Sequence, residues 1–383
     1  MRSVSLTEPA LFPALDPVGP AVDGLPASAT AVIAGIAASA AGADRQGVRR
    51  ETLDELATAG LLGAPLEPGS RQRELSEVLA GADASTWFCW VQHQTPLRTL
   101  AGTAPGTVNL APDALREELL PGLRTGRLVG AVAFAHVRRP GPPNPVAARV
   151  AGGWRLDGTL DWVTSWDIAD VVMVMAQGAG ADAGRFVCAY LPAGAACATT
   201  PGVDAGPPLA LLAMSGTHTR PVTLTAVEVP DDRVGAVVDR EQWLEADAVR
   251  TADANPGAFG LTRGAVAELV SLAERRADTG MSALARDLTH ECRDLRARAY
   301  ALADAAGPVD ERLAVRAQSL DLAVRSATAV VIARSGAAMR SGSPAERRVR
   351  EAMFLLVQAQ TQATRDASLA LMRSRGIGPS DVG

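Results

Sequence analysis

The chain has 383 residues, 48% of them hydrophobic and 21% charged, and a formal net charge of −5. That length holds two or three domains with a large buried core. The acidic balance gives no electrostatic hold on nucleic acid or on an anionic membrane. No lysine occurs, so all 37 basic residues are arginine. Schiff-base chemistry, pyridoxal phosphate with it, and a P-loop lysine are therefore excluded.

Cys89, Cys188, Cys197 and Cys292 are scattered without a CxxC, and His93, His136, His218 and His290 without an HxxxH. The expectation is no metal site and no disulfide, in a reducing cytoplasmic compartment. The start, "MRSVSLTEPALFPALDPVGP", is broken by prolines and does not read as a signal peptide. No apolar run reaches the roughly 18 residues of a membrane span.

In chain order, the first zone reads as helical. "RRETLDELATAGLLGAP" sets Leu53, Leu56 and Leu61 on one helix face and stops at Gly-Ala-Pro. "SRQRELSEVLAGADASTWFCWVQHQTPLRTLAG" predicts a helix, a short break and a more apolar helix. "APDALREELLPGL" predicts another, with Pro112 at its first position. A second zone carries short β-like runs parted by Gly- and Pro-rich turns. One of them, "VTLTAVEV", alternates through Val222, Leu224 and Val227 with a change of phase near Ala226. Such strands predict an antiparallel barrel or sandwich. In the third zone Leu313, Ala317, Leu320, Val324, Ala327 and Val331 recur at spacings of four and three, the pattern of a buried bundle seam. "GSPAERRVREAMF" restarts a helix with Ser343 as N-cap, Pro344 at the first position and Glu346 closing a capping box.

The expected fold class is α+β. The expected domains are a flexible N-terminus (1–27), a helical domain (28–126), a middle β domain (127–238), a four-helix bundle (239–375) and a tail (376–383).

One turn stands out. "LDGTLDWVTSWDIADVVMV" places Trp162 and Trp166 around Val163, Thr164 and Ser165, between two strand-like runs, in a chain with six tryptophans. Two indoles and two hydroxyls there make either a covered hairpin corner or a platform for a flat, hydrogen-bonding ring.

This order of zones, with the motifs inside it, resembles the acyl-CoA dehydrogenase superfamily from about 28 to 375. The carrying segments are "LLPGLRTGRLVGAVAF", "WRLDGTLDWVTSWDIADVVMVMAQ", "LLAMSGTHTRPVTLTAVEVPDDRV" and "SPAERRVREAMF". The resemblance implies an enzyme with a bound flavin, FAD or alternatively FMN. Trp162 and Thr164 would flank its ring, with Ser165 beside them. Arg276, in "RADTG", would reach the cofactor's pyrophosphate, and Thr361 matches the threonine of the family's Glu-Gly-Thr. Arg138 and Arg139, in a loop that replaces the family's anchoring segment, would bind phosphate or merely solvate the loop.

The departures bear on the chemistry. Arg350-Glu351 stands for the family's Arg-Asp, and nine residues after that arginine Ala359 stands where the family's proton-abstracting glutamate would be. An alternative base position falls on Arg250, with Asp247 and Asp253 nearby. The related reduced-flavin monooxygenases often carry a histidine eight residues after the arginine, and here that place is Gln358. His93, in an apolar helix, is either a second catalytic candidate or a packing residue. Three readings follow. One is a flavin-dependent oxidoreductase acting on an acyl thioester or another small-molecule substrate without the usual glutamate. The second is a reduced-flavin monooxygenase served by a partner flavin reductase. The third is a non-catalytic binding relative. Each implies a homodimer or homotetramer.

Overall fold

The structure, a computed structural model, describes residues 27–63, 70–102, 111–139 and 145–376. The expectations for the first 26 residues and for 377–383 lie outside the described residues. Five helices come first: α1 (Ala27–Gln46), α2 (Arg50–Thr58), α3 (Ser70–Ala82), α4 (Ala84–Ala101) and α5 (Asp113–Thr125). Eight strands follow: β1 (Gly130–Ala133), β2 (Val146–Val150), β3 (Gly153–Val163), β4 (Val171–Gly178), β5 (Arg185–Pro192), β6 (Val203–Ala205), β7 (Arg220–Pro230) and β8 (Val234–Asp239). The chain then returns to helix in α6 (Arg240–Thr251), α7 (Pro256–Arg276), α8 (Thr279–Asp304), α9 (Val309–Arg334), α10 (Pro344–Leu355) and α11 (Gln362–Gly376). The class is α+β. Contacts gather the chain into two compact units. One holds residues 42–72 and 85–250, and the other the described parts of 1–41, 73–84 and 251–383.

The first unit is built on one eight-stranded sheet in the order β6-β7-β3-β2-β4-β5-β8, with β1 pairing β4. The strands are mostly antiparallel, but β1 and β2 both run parallel to β4. That mixture was not expected from the alternating runs, because alternation reports the buried face and not the direction of the neighbour. Leu97, Leu100, Leu115 and Leu123 from α4 and α5 pack with Val132, Met173 and Tyr190 as a core against the sheet. A second cluster joins Val137, Met175, Phe186 and Cys188 to Trp243 and Leu244 of α6.

Two bulges shape the β3–β7 pair. Leu156 pairs with Val227 and Gly158 with Leu224, so β7 carries one extra residue there. This is the phase change seen in the sequence. Ala226 sits at φ 50° and its amide donates to Asp157 Oδ1 at 2.7 Å. Further on, Leu160 pairs with Val222 and Val163 with Arg220, so the extra residue lies in β3.

The second unit is a bundle of α7 to α11 with the described part of α3 beside it. Its core holds Phe259, Leu269, Leu272, Leu288, Val315 and Leu322. Buried charges tie α3 in. Glu77, fully enclosed, accepts from Arg296 Nε at 2.6 Å and from the Tyr300 hydroxyl, and pairs with Arg263 at 3.3 Å.

The α9 seam is corrected in part. The expected positions Ala317, Leu320 and Ala327 are buried, but Leu313, Val324 and Val331 are only half-buried. The enclosed stripe widens instead through Arg312, Val315, Arg316, Ser319, Leu322, Ala323, Ser326, Ala329, Val330 and Ala333. Two arginines and two serines on that stripe hid it from a hydrophobic count. The arginines are matched: Arg312 Nε donates to Asp253 Oδ1 at 2.8 Å, and Arg316 donates to the carbonyls of Asp253 (2.9 Å) and Gln358 (3.0 Å). Contrary to the count of apolar runs, Val309–Met339 is long and apolar enough to cross a membrane by length and composition. Its packing in the bundle core, with those two arginines enclosed, is that of a core helix.

Helix ends follow the local chemistry closely. Ser343 Oγ accepts the Glu346 amide at 3.2 Å, with Pro344 opening α10; Glu346 reaches back to the Gly342 amide rather than to that of Ser343. In α5 Pro112 is the cap itself, so the helix starts one residue later than expected.

Candidate functional site

The Trp162–Ser165 turn closes the end of β3. The bulge in β3 decides which way each side chain faces. An extra residue reverses the alternation, so Val163 turns inward and Trp162 is left 47% exposed. Trp166 is buried. Of the two indoles, one therefore covers the corner and the other is presented at the surface.

The turn is held rigidly by the segment before β7. Ser165, at φ 68°, donates its amide to Thr217 O at 2.8 Å, and Trp166 donates to His218 O at 3.2 Å. Three threonine hydroxyls form a relay whose direction is fixed by its end. Thr217 Oγ1 donates to the Met214 carbonyl at 2.7 Å, which spends its only proton. Thr219 must then donate to Thr217 (2.8 Å), and Thr164 to Thr219 (3.1 Å). Thr164 Oγ1 is left as an acceptor. The sequence reading missed Thr217 and Thr219, although they stand in the segment that carried part of the resemblance. The Ser165 hydroxyl is fully enclosed and has no partner among the described residues, so Ser165 serves the turn through its backbone. Beside the turn, His218 bonds Val48 O at 2.8 Å through Nε2 and faces Asp167 at 3.4 Å through Nδ1. A Cβ on Gly47 would stand 2.5 Å from that ring, so glycine is required there, at φ 98°.

His93 is also in this unit, and both its ring nitrogens are engaged. Nδ1 accepts the Gly130 amide at 3.0 Å, so Nε2 carries the proton and donates to Leu123 O at 3.1 Å. The ring is fully buried. Burial, opposed by the Leu123 bond and assisted by the charge of Arg50, lowers its pKa to about 4. His93 is a neutral pin between α4, the end of α5 and β1.

The carboxylates near the alternative base position are engaged. Asp247 accepts from Arg138 Nε and Nη2, both at 2.7 Å, and from Arg250 at 3.1 Å. Burial works to raise its pKa, but the Arg138 bonds and charge, with Arg250, outweigh burial and hold it below the usual carboxylate range. Arg138 is thus bound to Asp247 rather than waiting for phosphate, and Arg139 pairs with Asp161. Asp253, in the other unit, is held by Arg312.

The remaining candidates also lie in that bundle unit. Arg276 is exposed and donates to the last-turn carbonyl of Ala333 at 2.6 Å, which caps α9. Gln358 accepts from Asn255 Nδ2 at 3.0 Å through Oε1. Ala359 follows at φ 51°. Thr361 and Thr364 cap α11 reciprocally: Thr361 N donates to Thr364 Oγ1 at 2.8 Å, and Thr364 N to Thr361 Oγ1 at 3.3 Å. Trp162, Thr164, Ser165 and His93 therefore belong to the sheet unit, and Arg276, Gln358 and Thr361 to the bundle unit.

No protein-family model and no curated protein sequence matches the chain. Solved structures do. A glutaryl-CoA dehydrogenase from Mycobacterium smegmatis in complex with FADH2 is 16% identical, with 91% of this chain and 95% of that one covered at a TM-score of 0.72. KijD3 in complex with FMN and a dTDP-linked amino-keto sugar is 21% identical, covering 97% and 98% at 0.70. A dibenzothiophene monooxygenase from Paenibacillus sp. A11-2 is 16% identical, covering 92% and 97% at 0.70. Identities this low speak to architecture, and over nearly its whole length the chain has the acyl-CoA dehydrogenase-like fold.

Proposed function

We propose that the protein is a flavin-dependent oxidoreductase that works without a carboxylate base. The carrying observation is Trp162, turned outward by a bulge on a turn that hydrogen bonds hold rigid, in a fold whose neighbours were solved with FADH2 and with FMN. An exposed indole suits the apolar end of a large flat ring. Thr164 Oγ1, left as an acceptor by the relay, suits a ring N–H. A flavin bound there supplies hydride and electron exchange and, once reduced, reaction with O₂.

Between the two chemistries, the ion pairs favour the oxygen-using one. Taking an α-proton from an acyl thioester calls for a free general base. Ala359 has no acid, Gln358 is not a base, and Asp247 and Asp253 are both paired with arginines. A reduced-flavin monooxygenase depends more on shielding its site from water than on a strong base. It also agrees with an Arg276 occupied by a helix end, since loose cofactor retention fits a flavin delivered by a partner reductase. The test is fluorescence titration with FAD and FMN, each oxidised and, anaerobically, reduced. Binding of the reduced form at micromolar concentration is expected. No binding of either flavin in either state would discard the reading and leave the non-catalytic relative.

A further inference from the structure

Among the described residues Arg138, Arg250, Arg276, Arg312 and Arg316 have hydrogen-bond partners, and Arg98 has none. It lies on α4, half-buried, with Nε enclosed and without a hydrogen bond. Among the described residues its guanidinium makes no hydrogen bond and no ion pair. An enclosed Nε without a partner is unfavourable on a half-buried arginine, because its desolvation is not repaid by attraction. Its surroundings make this worse. Burial first, and then the like charge of Arg250, lower its pKa. Arg250 stacks over Trp243 at 5.6 Å and donates to Asp247 at 3.1 Å. Asp247 is already taken by Arg138 through two bonds. Two arginines, Arg138 and Arg250, therefore share one aspartate in this part of the sheet unit, and Arg98 feels the like charge of Arg250.

We infer that Arg98, assisted by Arg250, is an anion-recognition site that takes a carboxylate or phosphoryl group of the substrate. A planar guanidinium with its donors unspent matches either group bidentately, and partial burial strengthens the attraction. As an anion site the inference stands alone; as the anionic end of a substrate site it rests on the oxidoreductase reading. It narrows the substrate to molecules with a negative group away from the reacting atom.

The whole chain is titrated with inorganic pyrophosphate and, separately, with glutarate, at ionic strength matched with chloride, following Tm and binding heat. Whichever anion raises Tm saturably identifies the group. Arg98→Met should weaken that binding at least about tenfold, while Arg149→Met, at a surface arginine paired with Asp231, should leave it unchanged. Arg98→Met should also raise Tm of the ligand-free protein by about 2 °C, because an uncompensated charge is removed. Absence of saturable binding of both anions, or binding unchanged in Arg98→Met, would overturn the site. So would a ligand-free Arg98→Met protein less stable than wild type, since Arg98 would then have a structural partner. Flavin titration of the same samples keeps the two readings apart. Flavin binding without anion binding removes only this site, and anion binding without flavin binding removes only the cofactor.

Discussion

His93 Nδ1 receives the amide of Gly130 at 3.0 Å, across 37 residues of sequence, and this bond joins α4 to the first strand of the sheet. The bond exists only while the ring is neutral. Burial holds the folded pKa near 4, below an ordinary value of 6.5. As pH falls below 6.5 the unfolded chain takes up the proton first, so the stability is complete above 6.5 and is lost on the way down to about 4. The loss reaches at most about 3 kcal/mol. His136, also lowered mainly by burial, acts in the same direction. Urea midpoints of wild type and His93→Gln across pH 7.5 to 4.5 isolate the His93 share. The gap between them should narrow as pH falls, and a constant gap would refute the assignment.

Asp247 is the shared acceptor of Arg138 and Arg250. Asp247→Asn should destabilise the protein by about 3–5 kcal/mol, because it leaves buried guanidinium charge unmatched. Denaturant unfolding measures this. If Asp247 served as a general base instead, the substitution would abolish turnover and spare stability.

Ala226 holds a left-handed conformation on the β7 bulge. Ala226→Gly should stabilise the protein by about 0.5 kcal/mol, and Ala226→Val should destabilise it by more than about 1 kcal/mol. Equal midpoints for the three proteins would show that the bulge relaxes freely.

Trp162→Ala should weaken flavin binding by about 1–3 kcal/mol. Its effect on Tm should be small, since the indole is 47% exposed. Thr164→Val should weaken the reduced flavin more than the oxidised one where the lost acceptor faces N5, whose N–H only the reduced ring carries. Equal losses for both redox states would place the acceptor at N3–H, which both states carry.

Rapid anaerobic bleaching of the flavin-loaded protein by saturated acyl-CoAs is not expected. A positioned base contributes roughly 10²–10⁴-fold to such a step, and Ala359 supplies none. Fast bleaching would point to another base and return ordinary dehydrogenation to first place.

What the sequence determined by itself were the features set by neighbours a few residues away. The order of helices and strands, the break after Ala82, the bulge at Ala226 and the Ser343 cap all rest on local periodicity or on hydrogen bonds spanning a few positions. Tertiary structure decided whatever depended on a distant partner. Trp162 faces outward because β3 has one residue more than β7 opposite it, a count that requires both strands. Asp247 is silenced by Arg138, 109 residues before it. The α9 seam includes Arg312 and Arg316 because Asp253 and the Gln358 loop come to meet them. Whether a charge is matched is settled only when the chain closes on itself. For that reason Arg98 looked like any other of the 37 arginines until the fold left it without a counter-charge among the described residues.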